Sequence, residues 1–125
     1  MGVMNLRRLS FHRQKVYRLT RQRDRLERIV LGRSAMVPAS LIPRRFRPGG
    51  PVVYYLSASI GGESRHRYVR KGELPYWRQR AQAWQRFQKA MAGWVKVSKE
   101  IEKELRQLGR LRCEALPGGG RQEGG

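Results

Sequence analysis

The stretch VVYYLSASIGGESRHRYVR, residues 52–70, decides the fold of this 125-residue chain. Aromatic and β-branched residues dominate the run 52–60, and a second run, residues 63–70, follows the Gly61-Gly62 pair. Two such runs around a glycine turn are typical of an antiparallel β-hairpin. The segment therefore predicts two paired strands.

The register of this hairpin depends on the length of its turn, because a shift of one residue moves every side chain to the other face. A two-residue turn pairs Leu56 with Arg67 and Ala58 with Arg65, so that both arginines share the apolar face. A three-residue turn pairs Leu56 with His66 and moves the arginines to the solvent face. Since burying an unpaired guanidinium group costs several kcal/mol, we predict the three-residue turn.

Helical patterns lie on both sides of the hairpin. Apolar residues at helical spacing predict a helix over residues 10–31, ended by Gly32. A second helical pattern without proline in its interior predicts one long helix over residues 75–112. The predicted fold class is α+β: an N-terminal helix, a small antiparallel β-hairpin or three-stranded meander over residues 39–70, and a long C-terminal helix.

A single domain is expected over residues 10–112. We predict a basic N-terminal arm, residues 1–9, and a disordered glycine-rich tail, residues 113–125, on either side of it. Residues 40–46 add a short edge strand to the hairpin, and Pro43 is expected to break it.

The predicted C-terminal helix is longer than a domain of this size can cover. At 1.5 Å per residue it spans about 55 Å. Its apolar stripe continues to Leu105 and Leu108, so it needs a cover: the N-terminal helix, a second copy in a homodimer, or a larger protein partner. Residues 99–108 mix Glu and Lys in the manner of a solvated coiled-coil face.

Charge gives the strongest indication of function. The chain has 28 Lys and Arg against nine Asp and Glu, a formal net charge of +19, and 22 of the basic residues are Arg. Residues 1–23 hold seven basic residues and no acid, a composition that fits a binding arm or a targeting presequence. Arginine forks match phosphate oxygens, so we predict a nucleic-acid partner, DNA or RNA, and no membrane partner.

Other classes of function find little support in the sequence. Cys113 is the only cysteine, which excludes an intramolecular disulfide and indicates a cytoplasmic protein. His12 and His66 have no Cys or carboxylate at metal-ligand spacing. Glu63 and His66 are better explained as exposed turn residues than as an acid–base pair. We therefore predict no metal, no cofactor and no enzymatic activity.

A longer pattern spans residues 39–111. The residues that define it are Gly50-Pro51, Tyr54-Tyr55-Leu56-Ser57, Gly61-Gly62, Arg65 and Arg67-Tyr68-Val69, followed by the long helix. In these features the chain resembles a family of short basic bacterial proteins catalogued as a domain of unknown function. Many members have a cysteine cluster between the first two strands, which is absent here. The resemblance implies the fold and a bacterial setting, as an accessory to a mobile element, but no known activity.

The predicted binding surface combines a loop, the hairpin and the N-terminal arm. Its residues are Arg44, Arg45, Arg47, Tyr55, Arg65, Arg67, Arg70, Lys71, Arg7 and Arg8. Tyr55, beside Arg65 and Arg67 in the predicted register, either stacks on a base or forms a cross-strand pair with Val69. We expect a non-enzymatic, sequence-tolerant nucleic-acid-binding protein that contacts phosphates. The alternative is a structural or assembly protein that docks through its long helix on a larger protein or ribonucleoprotein.

Overall fold

The computed structural model describes residues 4–118 and has the predicted α+β class. In chain order its elements are α1 (Leu6–Val30), β1 (Ser40–Arg44), β2 (Val53–Ile60), β3 (Glu63–Val69), a short 3₁₀ helix (Lys71–Glu73) and α2 (Leu74–Arg112). These residues pack as two compact units. The helical unit contains residues 4–26 and 93–118, and the sheet unit contains Glu27–Ala92.

Helix α1 begins at Leu6, four residues before the predicted start. The reason is a capping contact: Asn5 Oδ1 accepts a hydrogen bond of 3.0 Å from the backbone N–H of Arg8, which satisfies one of the free donors of the first turn. Arg7 and Arg8, which we predicted in the arm, therefore lie in the helix. The rest of the predicted arm includes residues 1–3, which lie outside the described residues.

The predicted tail is also only partly described. Residues 113–118 form no helix or strand, and residues 119–125 lie outside the described range.

Within the helical unit, α1 covers the apolar stripe of α2. Leu19 of α1 is buried against Val97 and Ile101 of α2, and Val16 and Leu26 pack against this cluster. The N-terminal helix is thus the cover for this part of the stripe, one of the possibilities that the sequence left open. Burial of these side chains holds the two helices of this unit together.

Glycine at position 93 of α2 allows α1 to approach closely. A Cβ atom added there would lie 3.2 Å from Cδ1 of Leu26, which is tighter than an ordinary van der Waals contact. A side chain at this position would require Leu26 to shift by a few tenths of an ångström.

The sheet unit contains a three-stranded antiparallel sheet in the order β1-β2-β3. Pro43 does not break β1: it lies opposite Tyr54 within the strand, which an edge strand tolerates because one side of it needs no ladder donors. One face of the sheet, called the inner face, buries Leu56 and Val69 together with Ala39. Trp77, near the start of α2, packs against this cluster.

The predicted three-residue turn of the hairpin is wrong. Ile60 pairs directly with Glu63, so the turn consists of Gly61 and Gly62 alone. Both glycines have positive φ, 59° and 84°, as the central residues of a two-residue type I′ turn require. Glycine reaches this backbone region without steric cost, so the Gly61-Gly62 pair can form the two-residue turn on its own.

This register places the two hairpin arginines on the inner face, whereas we had predicted them on the solvent face. Leu56 lies opposite Arg67, and Ala58 lies opposite Arg65. Neither guanidinium group is buried, because the side chains of Arg65 and Arg67 remain 64% and 58% exposed. In the edge strand β3 only Val69 is buried, so the desolvation cost that motivated our prediction does not arise.

The turn can be tested with two matched glycine substitutions. We expect Gly62→Ala to lower the free energy of unfolding by about 1–2 kcal/mol, because an L side chain is strained at positive φ. Gly109→Ala adds the same methyl group to α2, with no atom within 4 Å, and should raise it by up to about 1 kcal/mol. Urea denaturation of both variants measures the two signs. A Gly62→Ala protein as stable as the natural one would contradict the assigned turn.

Candidate nucleic-acid interface

The register separates the predicted site residues between the two faces of the sheet. Arg65 and Arg67 share the inner face with Leu56, whereas Tyr55 lies opposite Tyr68 on the other face, called the outer face. Arg44, at the end of β1, also belongs to the outer face because it pairs with Val53. The predicted single surface of Tyr55 with Arg65 and Arg67 is therefore wrong, for the same reason as the predicted turn.

The outer face has a group of aromatic rings at its centre. The ring centroids of Tyr55 and Tyr68 are 5.7 Å apart, and Phe46, just after β1, places its ring 6.4 Å from that of Tyr55. Both contacts are edge-to-face. The Cζ atom of Arg44 lies 5.5 Å from the centroid of the Tyr55 ring, within cation–π range. The cross-strand partner of Tyr55 is thus an aromatic residue and not Val69.

The loop between β1 and β2 adds two exposed arginines beside these rings, Arg45 and Arg47. The backbone N–H of Gly50 donates to the carbonyl oxygen of Arg47 at 3.0 Å, and Gly49 has a φ of 73°. A side chain at Gly50 would collide with Arg47, since an added Cβ would lie 2.8 Å from its Cγ. Glycines therefore determine the path of this basic loop.

Arg44, Arg45 and Arg47 have no carboxylate within ion-pair distance among residues 4–118. Their positive charges are therefore uncompensated locally and available to an anionic ligand.

The inner-face arginines have partners. The Cζ atom of Arg67 lies 5.1 Å from the centroid of the Trp77 ring, and its Nη2 lies 3.5 Å from a carboxylate oxygen of Glu73. Arg65 approaches Glu63 at 3.8 Å. These exposed ion pairs are weak, but they reduce the charge that this face offers to a ligand.

The remaining residues of the predicted hairpin surface lie at the entry to α2. Arg70 is exposed, and its backbone N–H donates to Oε1 of Glu73 at 3.3 Å. Lys71 is exposed in the 3₁₀ helix.

Helix α1 provides a second basic surface, in the helical unit. Arg7 and Arg8 are exposed in its first turn. Farther along, a groove of about 430 Å³ is lined by six residues of α1, four of them basic and none acidic. They are Lys15, Arg18, Leu19, Arg21, Gln22 and Arg25. The sequence contains this charge in residues 1–23 and at Arg25, but we did not assign it to one face of a helix. The spacing of three to four between the basic residues would have predicted a common face.

The helical unit also contains a buried polar cluster, which we did not predict from the sequence. Glu104 of α2 is only 5% exposed. Its Oε1 lies 2.6 Å from Nδ1 of His12, and its Oε2 lies 3.2 Å from Nζ of Lys15. We had treated residues 99–108 as a solvated face, which is wrong for Glu104. Glu104 continues the helical spacing of the buried Val97 and Ile101. This spacing predicts burial, but we assigned Glu104 to the surface because it is charged.

The pKa of the Glu104 carboxyl group is lowered from its ordinary value. The hydrogen bond with His12 is the main cause, and the hydrogen bond and charge of Lys15 add to it. Burial acts in the opposite direction, because it disfavours the charged form. The carboxylate is thus held ionised between α1 and α2, where it compensates part of the positive charge.

Metal binding and acid–base chemistry each require suitable side chains that lie close together. Between residues 4 and 118, no three His, Cys, Asp or Glu side chains lie close enough to hold a metal ion together. Glu63 faces the inner side of the sheet, while His66 lies opposite Ser57 on the outer face and contacts Ser64 Oγ at 3.2 Å. The pair considered for acid–base chemistry is therefore split between the faces.

Neither helix of the described chain has the length and apolar composition needed to cross a membrane. Comparison with protein-family models, curated proteins and solved structures found no match. The likeness to a domain-of-unknown-function family stays a prediction.

The buried cluster makes a prediction about pH. Glu104→Gln keeps the shape of the side chain but removes its charge, and should lower the free energy of unfolding at neutral pH by about 1–3 kcal/mol. Because the folded-state pKa is lowered, this stabilisation is fully present above the ordinary carboxyl pKa of about 4.3 and is lost as pH falls through the lowered value. Denaturant unfolding from neutral to acidic pH should therefore show the two proteins converging in stability.

Glu102→Gln is the matched control for this experiment. The Glu102 side chain is 63% exposed and pairs with Arg106 at 2.7 Å on the surface of α2. Its loss should change stability by about 0.5 kcal/mol or less. If both variants behaved alike, Glu104 would not be held as described.

Proposed function

We propose that this chain is a non-enzymatic nucleic-acid-binding protein that contacts phosphates with little preference for sequence. The observation that supports this best is the set of exposed arginines at the end of β1 and in the following loop, Arg44, Arg45 and Arg47. They have no acidic partner among the described residues. Guanidinium groups of this kind bind phosphate oxygens bidentately.

The first turn of α1 supplies a second contact in this proposal. Arg7 and Arg8 are exposed there, and the basic groove of α1 lies farther along the same helix. A stretch without acid, residues 1–23, contains Arg7, Arg8 and three of the four basic residues of the groove. Contacts of this kind add affinity without reading base edges, which is why we expect tolerance of sequence.

Salt dependence measures the number of phosphate contacts. If six to eight phosphates are contacted on duplex DNA, log K should fall against log salt with a slope of roughly −5 to −7. Replacing Arg44, Arg45 and Arg47 together by Gln should reduce the magnitude of the slope by about 2.7, or 0.9 for each lost contact. Fluorescence anisotropy of a labelled duplex, titrated at several salt concentrations, gives both values.

A charge-matched control separates local contacts from diffuse electrostatics. Lys99, Lys103 and Arg106 are exposed on α2 in a region that also contains Glu100 and Glu102. Their joint replacement by Gln removes the same three charges, and we expect a slope within about 0.5 of that of the natural protein. Equal changes in the two triple variants would mean that no defined surface exists. The absence of binding to any polynucleotide at low salt would overturn the proposed function.

The alternative function, docking through α2, has weaker support. Val97 and Ile101 are already buried under α1, which leaves less apolar surface for a partner. Leu105, at 51% exposed, is the residue of the predicted stripe that α1 leaves uncovered most clearly. An exposed leucine of this kind is common on protein surfaces and does not by itself indicate an interface.

Leu105→Glu tests this alternative. If the protein acts without self-association, light scattering should give a monomer mass for both the natural chain and the variant, with stability within about 0.5 kcal/mol. A natural protein that is a dimer at high concentration and becomes monomeric on this substitution would support docking through α2 instead.

A further inference from the structure

We infer that the outer face of the sheet binds single-stranded nucleic acid, with unpaired bases stacked on the rings of Phe46, Tyr55 and Tyr68. This inference rests on the proposed function and adds to it the class of ligand and the mode of recognition. It starts from the two-residue turn, which assigns Tyr55 and Tyr68 to the same face as Arg44.

The three rings lie next to one another, and two of them are largely exposed. Tyr55 and Tyr68 are direct cross-strand partners with ring centroids 5.7 Å apart, and Phe46 lies 6.4 Å from Tyr55 on its other side. Phe46 is 71% exposed and Tyr68 is 51% exposed. Aromatic side chains usually gain from burial, so two exposed rings meeting a third on one sheet face point to a ligand that covers them.

The inner face cannot serve the same purpose, because the protein itself covers much of it. The cluster of Leu56 and Val69 packs against Leu74 and Trp77. The other residues packed against this cluster include Leu41, Tyr54 and Ala58, which the register also places on the inner face. Of the two faces of the sheet, the outer face is therefore the one that offers exposed aromatic rings to a ligand.

The charge of the outer face suits a polynucleotide. The side chains that β1, β2 and β3 present there include Arg44 and His66 and no Asp or Glu. Arg45 and Arg47 lie in the adjoining loop. Rings at the centre and guanidinium groups at the border correspond to bases and phosphates, respectively, along an extended strand.

Arg44 can exchange its contact with Tyr55 for a phosphate when the nucleic-acid strand binds. Its guanidinium group now lies 5.5 Å from the Tyr55 ring, which is 5.7 Å from the ring of Tyr68. An exposed cation–π contact is weaker than stacking of a base on an aromatic ring. A base can therefore replace Arg44 on Tyr55, and the released guanidinium group can bind the neighbouring phosphate.

This arrangement selects single strands over duplexes. In a duplex the faces of the bases are stacked on one another and cannot reach a protein ring, whereas unpaired bases can turn outward. Phosphate contacts are available in both. Duplex binding should therefore depend on the arginines alone, and single-strand binding on arginines and rings together.

The test compares three labelled probes of 20 nucleotides per strand at the same salt concentration. They are single-stranded oligo-dT, an oligomer of abasic sites with the same number of phosphates, and a mixed-sequence duplex. Anisotropy titrations should show oligo-dT bound at least tenfold more tightly than the abasic oligomer.

Phe46→Ala with Tyr68→Ala should reduce the affinity for oligo-dT by about tenfold for each ring and leave the affinity for duplex within twofold. Both side chains are largely exposed, so the sheet should keep its fold, as circular dichroism can verify. Tyr68→Phe keeps the ring and should retain the affinity for oligo-dT. Phe11→Ala with Tyr17→Ala, two exposed rings of α1, should change neither affinity.

Equal affinities for oligo-dT and the abasic oligomer, unchanged by loss of the two rings, would overturn this inference while leaving the phosphate-binding function intact. Failure to bind all three probes would overturn the proposed function as well. A loss of duplex affinity equal to the loss for oligo-dT would show that the rings stabilise the fold and do not stack on bases.

Discussion

The shortage of acidic residues is the constraint on which the rest of this structure depends. With nine carboxylates for 28 basic side chains, most guanidinium groups cannot form an ion pair. Several lie over aromatic rings, and one of them, Arg67, does so in addition to its ion pair with Glu73. Within residues 4–118 these pairs are Arg44 with Tyr55, Arg67 with Trp77, Arg78 with Tyr54 and Arg80 with Tyr76. Ring faces thus accommodate part of the positive charge, at a modest gain in energy for each contact.

Two of the carboxylates, Glu104 and Glu73, join different segments of the chain. Glu104 connects α2 to two side chains of α1, and Glu73 accepts from the backbone of Arg70 while it approaches Arg67 of β3. Most of the remaining positive charge lies in solvent. The fold and the expected ligand therefore follow from the same imbalance, because charge that the protein leaves unpaired is charge that a polyanion can pair.

The class of the fold and the approximate limits of its elements could be read from periodicity, glycine and proline. The register could not, because we assumed that every residue opposite Leu56 would be as buried as Leu56 itself. An edge strand allows Arg67 to lie over apolar surface while its charged end stays in solvent. The burial of Glu104 was not predicted for a related reason: we assumed that a charged residue would lie in solvent, although its helical spacing matched that of buried residues. Of the site, the residue types could be predicted, but their assignment to one face or the other required the register.

The two-residue length of the Gly61-Gly62 turn has an evolutionary consequence. A relative with one more residue in this turn would shift β3 by one position against β2. Tyr68 would move to the inner face, and Arg65 and Arg67 would move to the outer face. The outer face would then present Arg65 and Arg67 beside Tyr55, in place of the ring of Tyr68. Length variation at this single point could therefore divide such proteins into two binding types without any change in their helices.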